Sequence, residues 1–246
     1  MQQSSNIENY CLFLDVDGTL LDLAPRPQDV VVPDTLRDDL AEADRLCDGA
    51  LALVSGRTIE DLDSLFAPLK LRAAGVHGAE VRYEPEGSVE RDGDEALPEE
   101  AWLALQPLLE RFPGTFAENK RFAFALHYRP DVHDVIKLQA ALSDYLADFN
   151  DLIILPGRWI FEIKRRSHQK GFAIVRFMQR QPFRGRVPVF LGDDTTDEPG
   201  FAAVMAMQGR AYSVGKEVAG LTGSFVAPSQ VRQWLGDIAN SARITA

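Results

Sequence analysis

The chain has 246 residues, 46% of them apolar and 26% charged, which supplies a sizeable core and argues against disorder. Its net charge of −11 excludes general nucleic-acid binding, because that needs a basic surface to displace counterions from phosphates. No apolar run approaches a membrane span, and Met1 to Asn9 are polar without a basic n-region, so the chain reads as a soluble cytoplasmic protein of one large domain or a domain carrying an inserted second one.

In the first third, residues 10–16 read as a buried strand and 35–47 as a helix with Asp34 at its N-cap. Residues 50–54 form a second buried strand, 58–66 a second helix and 71–76 a third strand. Alternating elements with continuously apolar strands point to a parallel sheet covered on both faces. Cys11 and Cys47 fall in an apolar strand and a helix without CxxC or Cys/His spacing, so they read as reduced packing residues.

The middle changes character. Residues 81–95 are charged and turn-rich, and 98–112 look helical. Phe122, Phe124, Leu126 and Tyr128 alternate as in a half-exposed strand. Val132, Val135, Ile136, Leu142, Leu146 and Phe149 recur at near-helical intervals. Residues 152–155 and 159–163 flank Pro156-Gly157 as a hairpin. This α+β pattern places an inserted domain at 82–165. The last third returns to α/β, with helices at 170–180, 201–207 and 229–242 and strands at 187–191 and 210–214.

Four polar segments sit at the carboxyl ends of core strands or at a helix start. They are Asp15-Val16-Asp17-Gly18-Thr19, Ser55-Gly56-Arg57, Lys170-Gly171 and Gly192-Asp193-Asp194-Thr195-Thr196-Asp197-Glu198. In an open α/β sheet that edge binds ligands. Carboxylates at the end of a buried strand need a cation or donors, and a hard divalent metal meets that need while keeping waters for phosphates. A calcium-loop reading fails, since Gly18 directly follows the second Asp and the residue six beyond it is Ala24. Ser55 is not a hydrolase elbow, because Leu53 stands where that motif needs Gly; it reads equally as a phosphate cradle or a helix N-cap. Lys170 opposes the helix macrodipole, which nearby carboxylates or phosphate would explain. Any anionic substrate also requires local cations against the overall charge, and Arg57, Lys120, Arg129, Lys164, Arg165, Arg166 and Lys170 are candidates.

In this order the four segments resemble the haloacid-dehalogenase superfamily of phosphatases. Leu53-Val54-Ser55-Gly56-Arg57, Gly75-Val76-His77-Gly78-Ala79-Glu80, Phe124-Ala125-Leu126-His127-Tyr128-Arg129 and the run from Phe190 to Glu198 are similar to the trehalose-6-phosphate phosphatase family. The resemblance implies an α/β fold: a Rossmann-like three-layer core with a parallel sheet (1–81 and 166–246) plus an inserted α+β cap (82–165) that sets substrate specificity.

It also implies roles. Asp15 is the expected nucleophile and Asp17 the acid and base, with Ser55 and Lys170 holding the phosphoryl oxygens. Mg²⁺ is expected on Asp15, Asp17 (through its carbonyl) and Asp193, with Asp194 or Asp197 completing or orienting the shell. Arg57, His77, Gly78, Glu118, Lys120, His127, Arg129 and Glu162 are the expected substrate-binding residues. The substrate implied is trehalose 6-phosphate, with functional coupling to a trehalose-phosphate synthase. Alternatives are a phosphatase of sucrose or mannosylglycerate phosphate, or a non-catalytic phosphosugar-binding regulatory domain. Intact Asp15 and Asp17 argue against the last.

Overall fold

Apolar runs without alternation build the main sheet. In the computed structural model, which describes residues 7–24, 29–91, 96–129, 134–157 and 159–243, the chain opens with β1 (Tyr10–Leu14), α1 (Leu36–Leu46), β2 (Leu51–Val54), α2 (Ile59–Phe66), β3 (Arg72–Gly75), β4 (Glu80–Arg82) and β5 (Glu90–Arg91). Then come α3 (Glu99–Arg111), β6 (Phe116–Asn119), β7 (Ala123–His127), α4 (Val135–Leu146), β8 (Leu152–Gly157) and β9 (Ile160–Arg165). The chain closes with α5 (Lys170–Met178), β10 (Val187–Gly192), α6 (Glu198–Ala206), β11 (Arg210–Val214), β12 (Gly223–Phe225) and α7 (Pro228–Arg243). Val132, residues 92–95 of the turn-rich segment and residues 1–6 lie outside the described residues. Among the described residues no helix is long and apolar enough to cross a membrane.

The chain divides into two compact units, one of Met1–Glu90 with Gln169–Ala246 and one of Arg91–His168. These borders lie later than 82 and 165 because β4 pairs with β3 and β5 extends the same sheet, which keeps the chain in the first unit through Glu90.

The first unit's sheet has the order β12-β11-β10-β1-β2-β3-β4-β5, parallel from β12 to β3 and antiparallel between β3 and β4. Every residue of β2, and all of β1 after Tyr10, is buried, as strands covered on both faces must be. The helix pairs α1–α7 and α5–α6 supply the cover. Strand order reverses at β1, with β2 on one side and β10 on the other, and this makes the β1–β10 junction the switch point where ligands bind in such sheets. Cys11 and Cys47 are buried free thiols, which burial pushes up to about 12, so they remain protonated packing groups.

The second unit is an antiparallel sheet of order β6-β7-β9-β8. One face, carrying Phe124, Leu126, Phe161 and Ile163, packs with Leu105 of α3 and Leu138 and Leu142 of α4.

Three local expectations are corrected. Asp34 does not cap α1: the Leu36 amide already bonds the Pro33 carbonyl, so the turn starts earlier, and the N-cap Thr35 makes no side-chain cap bond. The strand at 122–128 is not half-exposed, since Ala123 to Leu126 are all buried; β7 is central, and alanines occupy its second face. Ile136 does not join the apolar side of its helix and is 81% exposed.

Phe13 is fully buried, with its ring against Phe177 and Phe183. Phe13→Ala should destabilise the protein by about 3–5 kcal/mol, which urea unfolding followed by circular dichroism will measure.

Candidate active site

β1 ends at Leu14 and its register with β10 pairs Leu14 with Leu191. The next residue, Asp15, donates its amide to the Leu191 carbonyl at 3.0 Å, which fixes the first carboxylate beside the Gly192–Asp193 step. Two glycines permit the approach. Gly18 has φ +82, and a Cβ there would lie 2.0 Å from Oδ2 of Asp193; a Cβ on Gly192 would lie 2.4 Å from the Asp197 carboxyl carbon. Any side chain at either place would push the acidic loop off the strand ends.

Lys170, first residue of α5, reaches into this cluster. Its ammonium lies 2.6 Å from Oδ1 of Asp15 and 2.6 Å from Oδ1 of Asp197, with all three side chains buried. Burial alone would lower the Lys170 pKa, but Asp15 and Asp197 reverse this and raise it above the usual lysine value. Burial acts on the carboxylates in the opposite sense. Burial raises Asp15 well above the ordinary range, with Lys170 opposing and Asp197 and Asp193 adding to the rise. Burial, then Asp197, raise Asp193 to about 7. The site thus sets three carboxyls against one lysine, and burial and mutual repulsion resist ionising all three at once.

Asp15, Asp193 and Asp197 each offer an oxygen, all within 4.8 Å of one another. An all-oxygen set of this kind fits a hard divalent cation. Asp197 is already committed on both oxygens, to Lys170 and to the amides of Asp193 and Asp194 at 3.0 and 3.1 Å. It shapes the acidic loop more than it offers a free ligand. Asp194 lies outside the three-carboxylate group; its side chain caps the following turn through Thr195, and Asp197 completes the capping box.

Asp17 sits in the turn after β1, 32% exposed at its side chain. Arg57, a candidate substrate ligand by sequence, grips it with a two-pronged fork: Nε to Oδ2 and a terminal nitrogen to Oδ1, both 2.7 Å. Charge-assisted forks of this kind are the strong end of the hydrogen-bond range. Ser55 lies buried at the end of β2, its amide held by the Ala74 carbonyl at 2.9 Å and its hydroxyl accepting from the Arg57 amide at 3.1 Å. The N-cap of α2 is Thr58 rather than Ser55. His77 and Gly78 are buried in the turn after β3, where the His77 amide bonds the Ser55 carbonyl.

In the second unit Glu118, Lys120, His127 and Glu162 come together. Pairing of Glu118 and of Glu162 with Ala125 sets them, by strand alternation, on the face opposite the helices. Lys120 Nζ lies 3.5 Å from Glu162 Oε1, and His127 Nε2 lies 3.9 Å from Glu118 Oε2. His127, then Lys120, lower the Glu118 pKa against its partial burial, keeping it ionised. Arg129 follows β7 and is exposed. Lys164, one of the cations the sequence offered for an anionic substrate, is buried and by its spacing from Glu162 lies on the same face; sequence reasoning missed that Arg57 answers Asp17.

A parallel sheet whose switch point carries an Asp-x-Asp-Gly-Thr turn, a strand-end serine, a buried lysine and an acidic loop is the arrangement that the resemblance to haloacid-dehalogenase phosphatases implies. The chain belongs to the trehalose-phosphatase family, which it matches over residues 13–227. It is 38% identical over 226 residues to the trehalose-6-phosphate phosphatase of Escherichia coli (strain K12), covering 92% of this chain and 85% of that one. A probable trehalose-phosphate phosphatase of Sinorhizobium fredii is 37% identical, covering 87% and 81%. The C-terminal domain of the C. albicans trehalose-6-phosphate phosphatase superposes with a TM-score of 0.82 at 21% identity, covering 95% and 92%, a likeness of fold.

Asp193 binds its proton up to about pH 7 in the folded chain but only to its ordinary 3.8 when unfolded. Its contribution to stability is thus present at low pH and lost as pH rises through about 7. A divalent cation should restore it. At 100 times its dissociation constant such a cation adds about 2.7 kcal/mol. Thermal unfolding of chelator-treated protein should show a larger rise on adding magnesium at about pH 8 than at about pH 5, where protons compete.

Proposed function

We propose that this protein is a Mg²⁺-dependent phosphatase that hydrolyses trehalose 6-phosphate to trehalose and phosphate, its substrate being the product of a trehalose-phosphate synthase. The observation that carries the reading is the family match running through both compact units. It takes in the buried Asp15–Lys170–Asp197 group and the polar sheet face alike.

Asp15 attacks phosphorus in line with the sugar oxygen. The bond from phosphorus to the sugar breaks as the bond to Asp15 forms, and Asp17 donates a proton to the departing oxygen. Asp17 then takes a proton from the water that attacks the aspartyl-phosphate, releasing phosphate and restoring Asp15. Both Asp17 oxygens are held by Arg57, so this fork is a resting arrangement that must give up one oxygen before proton transfer. Ser55 and Lys170 hold the phosphoryl oxygens, where fixed donors and positive charge do most of the work of phosphoryl transfer.

Mg²⁺ would be held by Asp15, the Asp17 carbonyl and Asp193, with Asp197 orienting the loop, and when bound it supplies positive charge to the phosphoryl oxygens. Glu118, Lys120, His127, Arg129 and Glu162 would recognise the sugar hydroxyls, as hydrogen-bonding groups suit a disaccharide.

Phosphate release with magnesium should be much faster on trehalose 6-phosphate than on glucose 6-phosphate, sucrose phosphate or mannosylglycerate phosphate. Equal rates across this panel would contradict the substrate assignment. Asp15→Asn should lower kcat at least ~10³-fold while the circular dichroism spectrum is kept. Wild-type turnover in that variant would rule out the covalent route.

A further inference from the structure

One aromatic ring on the polar face of the second sheet has no place in either core. Phe116 opens β6 and is 58% exposed. It stands two residues before Glu118, on the same face, and is paired in register with His127. Its ring lies flat on the His127 imidazole, with centroids 4.3 Å apart and planes 7° from parallel. The neighbouring Ala117 points the other way and packs in the helix-covered cluster. Folding alone gives no reason for a phenyl ring here, since most of it remains in water.

We propose that the Phe116–His127 stack is a platform for one pyranose ring of the phosphosugar, and that Phe116 is a specificity-determining residue. This rests on the substrate reading above. A pyranose presents hydroxyls around its edge and C–H groups on its faces, so a site for it needs polar partners beside a flat apolar surface. The sheet face provides both. Glu118 lies two residues along from Phe116, roughly 7 Å, close to the width of one sugar ring. His127 Nε2 is buried and makes no hydrogen bond among the described residues, and at 3.9 Å from Glu118 it is beyond hydrogen-bond reach. A sugar hydroxyl between the two would satisfy both. A ring bonded there lies over the phenyl group, and burying that group against C–H supplies affinity that a small phosphate ester cannot use.

The test is steady-state kinetics of the wild type, Phe116→Ala and Phe116→Tyr on trehalose 6-phosphate and on p-nitrophenyl phosphate. Phe116→Ala should raise KM for trehalose 6-phosphate so that its kcat/KM falls by roughly 3- to 10-fold more than that for the aryl ester. Phe116→Tyr, which keeps the flat ring, should restore it. Equal losses on both substrates, no loss, or failure of the tyrosine to rescue would overturn the platform. A wild type that hydrolyses the aryl ester but not trehalose 6-phosphate would overturn the substrate reading itself. A wild type active on the sugar with an unaffected alanine variant would overturn only the stacking.

Discussion

The bridge that Lys170 makes between Asp15 and Asp197 is the contact on which the first unit's site depends. It joins the end of β1, the start of α5 and the turn after β10, segments 155 and 27 residues apart from the lysine. Three carboxylates within 4.8 Å repel one another strongly away from water, and burial removes the solvation that would offset this. One buried ammonium, donating to two of the three, makes the cluster tolerable but leaves it short of positive charge. That shortage is what suits the site to a divalent cation, and an anionic group could approach it only with such a charge in place. A fully neutralised cluster would have no affinity left for the cation.

The same bridge explains why Asp197 can be fully buried at 0% exposure. One oxygen answers Lys170 and the other gathers the amides of Asp193 and Asp194, so it serves as the hub of the acidic loop. Gly18 and Gly192 are the steric counterpart, clearing space for Asp193 and Asp197. The Arg57–Asp17 fork is a second and separate device. It places an always-charged guanidinium against the carboxylate expected to move a proton, at a partly exposed position and not in the buried cluster.

The core was legible where burial leaves a plain signature. Runs such as Leu12-Phe13-Leu14 and Val189-Phe190-Leu191 are apolar at successive positions because both sheet faces are covered, as in parallel sheets flanked by helices. The short strands β4, β5 and β12 carry two or three residues each with too little pattern to read, and missing β4 and β5 shifted the expected domain border. β7 misled in another way: Ala123 and Ala125 fill its second face, so alternation of large and small residues mimicked alternation of buried and exposed ones. At the site, the order of motifs pointed to Asp15, Lys170 and Asp193, which the structure groups together, and to Ser55 at the end of β2, because each sits at a strand end or helix start. Who bonds whom was not legible. The Arg57 fork spans 40 residues of sequence, and nothing local in Ser-Gly-Arg announces a partner in the turn after β1.

Transfer of the phosphoryl group to Asp15 is the central claim, and trapping it is the direct test. Enzyme turning over trehalose 6-phosphate with magnesium would be quenched in acid, reduced with borohydride and digested, and its peptides read by mass spectrometry. Reduction of an acyl phosphate converts that aspartate to homoserine, so the predicted result is homoserine at Asp15, dependent on substrate. Turnover with Asp15 unmodified, or with the modification on another residue, would contradict the account.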